Sequence, residues 1–346
     1  MTTHRLLFRL TLCAALASAA LVSARPLTSM DLHKMRSVGS VALSPDGSRV
    51  AYAIDYNGMT GRSYRQLYLA ALPSGEATRV GGEADRAGSA TWSPDGKMIA
   101  FSGKMGETNG LHVANADGTG IRFLADVTGT NSPLTFEGSS ITWSPDSKQI
   151  AFVSAVPGPE TADATGDPVV ITRYLYKPTA GEGNTRFNDN RRREVFVIDV
   201  AGGTPRALTQ SPREYHSIDW SPDGREIAAV SNLDHDPDYF YNQDLVAISV
   251  ADGSVRRITT TESAEYQPTF SPDGKRIAFL GTKRGLTDLE TTMEDTHAWV
   301  INADGAGRRE IGSVVDNRQS NLSFSPDGAY VYFTALDRGH VRLHRV

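Results

Sequence analysis

The stretch "VVITRYLYKPTAGEGNTRFNDNRRR" brings Arg173, Tyr174, Tyr176, Arg186 and Phe187 close together in the sequence. Aromatic rings and guanidinium groups stack, bury apolar area and pair with carboxylates. These five residues are therefore candidate contacts for a docked domain or a peptide. The plain alternative is a loop that covers its own sheet. Arg191-Arg192-Arg193 follows, and a solvated strand entry explains it better than an anion site. In "DHDPDYFYNQD" the alternating Asp234, Asp236 and Asp238 suggest calcium. A helix–loop–helix calcium loop needs glycine at its sixth position and glutamate at its twelfth. Tyr239 and Leu245 stand there instead, which favours a solvated loop between strands.

Bond-making chemistry has less to draw on. The eight histidines (4, 33, 112, 216, 235, 297, 340 and 344) never fall at zinc-ligand spacing. No G-x-S-x-G segment presents a serine nucleophile. Gly118-Thr119-Gly120 precedes no helical pattern, so it reads as a turn and not a phosphate loop. The sequence thus predicts no catalytic residue, no cofactor and no metal site; it points to contacts.

A sixfold repeat must position those contacts. Ser-Pro-Asp-Gly, or a close variant, begins at Ser44, Ser93, Ser144, Ser221, Ser271 and Ser325, with serine spacings of 49, 51, 77, 50 and 54 residues. Such a period marks a repeat architecture. Proline presets φ for a type I turn and glycine accepts the left-handed residue after it, so each tetrapeptide reads as a hairpin tip. The residue before each serine is Leu43, Trp92, Trp143, Trp220, Phe270 or Phe324. After the tip come runs such as Ile99-Ala100-Phe101 and Ile277-Ala278-Phe279, whose alternation separates large from small residues across a sheet. A second turn, such as Asp117-Gly118 or Asp252-Gly253, and a short strand such as Arg257-Ile258-Thr259 complete four strands per unit. The fold expected is all-β, a β-propeller of four-stranded blades. WD and kelch signatures are missing, and β-helices have shorter periods.

Two departures from the period carry information. The 77-residue gap places an insertion at about residues 155–193, between the second and third strands of the third blade, on the face opposite the tips. It holds the five candidate contacts. After Gly328 the segment Val341–Val346 reads as a third strand with no fourth. The expectation is an incomplete ring and a chain that is a fragment of a longer protein.

Composition bounds the setting. Arg5 and Arg9, the apolar run Leu10–Val22 and Val22-Ser23-Ala24 read as a signal peptide over residues 1–24, leaving 25–346 as the propeller. That run is too short to span a bilayer, so the protein is expected to be exported, periplasmic or secreted, and not membrane-spanning. The only cysteine, Cys13, lies inside it. Removing the two arginines moves the net charge from −5 to −7, which gives no footprint for nucleic acid.

Leu27-Thr28-Ser29-Met30-Asp31-Leu32, Arg36-Ser37-Val38-Gly39-Ser40 and Ser44 to Tyr52 resemble the propeller start of prolyl oligopeptidase family serine peptidases, nearest the acylaminoacyl-peptidase branch. "GGTPRALT" (202–209) and the tips resemble them too, and TolB-like periplasmic propellers carry the same tips. The resemblance implies a gating propeller whose partner is an α/β-hydrolase domain missing from this chain, with peptides as substrates of the whole. This chain alone would then not be an enzyme. Dipeptidyl-type relatives hold a substrate amino terminus with paired glutamates, and no Glu-Glu occurs here. The alternative is a TolB-like propeller that binds another envelope protein. A lectin-like or small-ligand propeller is a weaker third reading.

Overall fold

The computed structural model describes residues 26–57, 63–132, 138–166, 168, 170–176, 187–239, 242–285 and 295–346. The predicted signal peptide and Arg186 lie outside them. The chain divides into two compact units, Met1–Ser37 with Asp55–Tyr64, and Val38–Ile54 with Arg65–Val346.

In the smaller unit, Ser29–Lys34 forms a 3-10 helix. The Thr28 backbone N–H and hydroxyl both donate to the Asp31 carboxylate, at 2.9 and 2.8 Å. This is the cap expected from a threonine three residues before an acid. The Arg36 guanidinium sits 4.8 Å from the Tyr56 ring centroid, and Tyr56 stacks on Tyr64 at 5.2 Å.

The larger unit is a six-bladed β-propeller. Five sheets have four strands and the sixth has three, and consecutive strands are neighbours throughout. First strands of successive blades lie against one another, so they form the inner side. Fourth strands such as Ala77–Arg79 and Val255–Arg257 are largely exposed and form the outer side.

The tips explain the repeat. In each, the serine hydroxyl donates to the aspartate two residues on, at 2.7 Å for Ser93–Asp95 and 2.6 Å for Ser271–Asp273. That aspartate accepts the backbone N–H two residues further, and the serine oxygen accepts the N–H five residues on. Bonds to the charged form hold these carboxyls below the usual range; Asp46 lies at about 2. Gly47, Gly96, Gly224, Gly274 and Gly328 have φ between 68° and 76°, and Ser147 takes the same geometry at 61°.

Neighbouring blades lock through recurring contacts. Trp92, Trp143 and Trp220 are buried, and the indole N–H donates to Ala42 O from Trp92 (2.9 Å) and to Thr91 O from Trp143 (3.2 Å). The Trp220 Nε1 has no partner. Arginines at the start of fourth strands reach the next blade's second turn: Arg122 to Val200 O, Arg206 to Val250 O and Arg256 to Ala303 O. Four first strands carry a bulge with a left-handed residue four positions before the tip serine: Ser89, Ser217, Gln267 and Asn321.

Candidate functional site

In an antiparallel meander the tips and second turns share one face, and the loops between second and third strands share the other. The third blade's second and third strands pair as far as Pro157↔Arg191. The insertion proper is therefore 158–190, shorter than the 155–193 read from the spacing, because strand pairing absorbs its ends.

Three ion pairs tie the insertion and its exit strand to the fourth blade and to each other. The Arg173 Nε donates to Asp238 Oδ2 at 2.8 Å and its Nη2 to Asp238 Oδ1, with both side chains almost wholly buried. Arg192 donates to Glu160 Oε2, Asn190 O and Pro212 O, each at 2.8 Å. Arg193 donates to Glu214 Oε2 at 2.7 Å, and Ser132 Oγ donates to the other oxygen of Glu214 at 2.9 Å. Burial opposes the Arg173 charge, but the hydrogen bond and charge of Asp238 outweigh it and raise its pKa.

Two readings from sequence are corrected here. Arg192 and Arg193 are not a solvated strand entry, because their side chains are buried in ion pairs. The aspartate loop is not wholly solvated either, since Asp238 is Arg173's partner. Neither pairing has a local signature, because the partners lie 65 and 21 residues apart.

Of the candidate contacts, Arg173 is thus a structural clasp and not a free cation. Tyr174 is 67% exposed, with its ring 5.5 Å from that of Tyr239, itself 56% exposed. Tyr176 and Phe187 are exposed at 38% and 48%, beside Val170 and Ile171 at 52% each. The structure therefore gathers Tyr174, Tyr176 and Phe187 on one insertion with an apolar exposed surface. Leu175, between the tyrosines, is instead buried against Ala264, Tyr266 and Leu280 of the fifth blade.

Beneath the clasp lies a cavity of about 20 Å³, lined by Arg173, Arg192, Glu214, His216, Asp238 and Gln243 among others. It has room for about one water molecule. His216 bridges Ser217 Oγ (2.8 Å) and Gln243 Oε1 (3.1 Å), and burial holds its pKa down at about 3. A neutral imidazole fixed on both sides is a packing element, not a proton shuttle.

Next to it, between the fourth and fifth blades, Glu265 accepts bonds from Thr259 Oγ1, from Thr261 Oγ1 at 3.0 Å and from Leu245 N at 3.2 Å. Burial lifts its carboxyl to about 7. Asp244, raised by burial as well, accepts the Thr261 N–H at 3.1 Å. These acids tie strand ends to blade connectors. Sequence reasoning missed them, although each stands at the polar end of a buried strand. Among the described residues no cluster of three His, Cys, Asp or Glu is arranged to hold a metal, and no helix is long and apolar enough to cross a membrane. The face carries exposed aromatic residues on a clasped loop.

Comparison with known proteins gives this face a context. No family model matches the chain. It is 26% identical to YuxL, an uncharacterized peptidase of Bacillus subtilis, over 217 residues, or 60% of this chain and 31% of that protein. It is also 26% identical to dipeptidyl-peptidase 5 of Porphyromonas gingivalis over 209 residues, or 56% of this chain and 29% of that one. Its homologues are peptidases. The chain spans less than a third of the length of either. Among solved structures, the Pyrococcus horikoshii acylaminoacyl peptidase superposes with a TM-score of 0.65 at 20% identity, covering 91% of this chain and 45% of that one. A TolB-type protein of Agrobacterium tumefaciens gives 0.55 at 18%, covering 90% and 91%. At such identities these likenesses speak for the fold: a propeller of the kind found in that acylaminoacyl peptidase and that TolB-type protein.

Proposed function

We propose that this chain is the non-catalytic propeller portion of an exported prolyl oligopeptidase-like serine peptidase, and that it limits access to an α/β-hydrolase domain outside this sequence. The observation that carries the reading is the alignment with peptidases more than three times as long as the matched region. The geometry agrees with it. In every complete blade the fourth strand returns the chain to the face that bears the insertion, so a domain joined after a fourth strand meets that face first. Tyr174, Tyr176 and Phe187 stand exposed there for the domain or for a peptide. Arg173 supports them from beneath. The apolar run at residues 10–22 fits export.

A second reading is a TolB-like propeller that binds another envelope protein. The two-way coverage of the TolB-type fold, about nine-tenths of both chains, favours it.

The deciding experiment is the mass of the protein secreted by its natural host, with sequencing of its C-terminal peptides. A species larger by roughly one domain of 200–250 residues, yielding a Gly-x-Ser-x-Gly peptide, is expected. The isolated 25–346 chain should then hydrolyse no peptide. A native species ending at Val346 would overturn the first reading and favour the second.

A further inference from the structure

The segment 170–176 leaves the third blade, passes the fourth blade's Asp238 loop and ends with Leu175 seated on the fifth. Leu175 is 3% exposed and packs on Ala264 and Tyr266 of that blade's first strand and on Leu280 of its second. Leu322, on the first strand of the sixth blade, packs against the same cluster. Because first strands form the inner side, Leu175 covers the inner edge of a blade to which it does not belong.

We propose that this segment is a latched strap, with the Arg173–Asp238 pair as its latch and Leu175 as its plug, and that its opening uncovers the inner edge of the fifth blade. Three observations carry this. Among the described residues the hold on the body is sparse: one buried apolar side chain, one ion pair and one ring contact, Tyr174 on Tyr239. Few buried apolar contacts mean a low free energy of local opening.

The other bonds of the segment stay within the insertion and move with it. Asn188 Nδ2 donates to Leu175 O at 2.7 Å and Asn188 N to Tyr176 O at 3.2 Å, while Val170 N donates to Asp163 O at 3.2 Å. The latch itself is incompletely satisfied, because the Arg173 Nη1 is buried without a hydrogen-bond partner. A buried pair with an idle donor has lost hydration without full replacement, so it holds the closed state less firmly than its geometry suggests. The blades do not need the strap, since their inter-blade clusters are built from their own strands. The strap is a property of this chain alone and is tested apart from any peptidase assay.

Trypsin reads it directly, because the Arg173 side chain must leave its buried site to enter a protease pocket. The 25–346 chain and its Asp238→Asn and Leu175→Ala variants are digested under native conditions, and cleavage of the Arg173–Tyr174 bond is followed by mass spectrometry. The strap predicts at least a tenfold faster cut at that bond in both variants, with the melting temperature of the blades lowered by no more than about 2 °C. In the wild-type chain the same cut should come before any cleavage within the strands of the fourth and fifth blades, because the segment opens more cheaply than the core; this arm holds even if a variant fails to fold. An unchanged cleavage rate in the variants overturns the latch. A cut that appears only together with cleavage in the strands of the fourth and fifth blades shows that the segment opens with the core, which overturns the strap.

Discussion

Two tryptophans in the same slot of the repeat do unequal work. The Trp92 indole N–H reaches Ala42 O on the preceding blade, whereas the Trp220 Nε1 finds no acceptor. A buried donor left unpaired costs about 1–3 kcal/mol, and a satisfied one contributes about 1 kcal/mol. Replacing either ring with phenylalanine removes similar packing. Trp92→Phe also leaves the Ala42 carbonyl without its donor, while Trp220→Phe removes a donor that was never satisfied. Urea unfolding should therefore find Trp92→Phe more destabilising than Trp220→Phe by about 1 kcal/mol or more. Equal losses would mean that the Trp220 N–H has a partner in solution, such as an ordered water.

The tip is the element on which the repeat turns, and its third copy tests the argument. Ser147 occupies the left-handed position that glycine fills in the other five, at a cost of about 1 kcal/mol for a residue with a Cβ. It has an offsetting role, since its Oγ accepts the Asp95 N–H of the preceding tip at 3.1 Å. Ser147→Ala keeps the strain and loses the bond, so it should cost about 1 kcal/mol. Ser147→Gly loses the bond and the strain together, so its stability should lie within about 0.5 kcal/mol of wild type. A glycine variant as unstable as the alanine one would show that backbone strain is not what the glycine of the other five tips relieves.

Legibility follows from the same distinction. Tips, tryptophan slots and the location of the insertion are written in neighbouring residues, so the sequence displays them. The bulges at Ser89, Ser217, Gln267 and Asn321 carry three residue types with no shared motif around them, because strand curvature dictates them. At the candidate site Tyr174, Tyr176 and Phe187 stand out in the sequence, and the fold leaves them exposed. The role of Arg173 was not, because its meaning depends on Asp238 in another blade. Glu265 was invisible for a similar reason: only the fold puts Thr259, Thr261 and the Leu245 N–H around it.

At the scale of the whole molecule, two sets of carboxyls pull stability in opposite directions with pH. Burial raises Asp219 from an ordinary 3.8, and Glu265 from an ordinary 4.5, to about 7 in each case. Asp219 does so although its Oδ2 accepts the Phe270 N–H across the seam between fourth and fifth blades, at 2.7 Å. A carboxyl with a raised native pKa binds its proton more tightly folded than unfolded. Its stabilising contribution is full below the ordinary value and disappears as pH climbs through about 7. The turn aspartates, at a tip and at a second turn, act in reverse. Asp46 and Asp252 sit at about 2, held down chiefly by serine hydroxyls, so their contribution is present above about 4 and lost as pH falls toward 2. His216, held neutral by burial at about 3, opposes the buried acids, because its contribution is lost as pH falls below its ordinary 6.5. Two raised carboxyls against one imidazole still leave the optimum on the acid side of the range where such optima usually lie. The urea midpoint should therefore fall between pH 4.5 and pH 7 and level off above it. Asp219→Asn, which keeps an oxygen for the Phe270 N–H but cannot ionise, should flatten part of that fall. A wild-type midpoint that stays level or rises across this interval would mean that water reaches both carboxyls in solution, and that the seam between the fourth and fifth blades is looser than its packing implies.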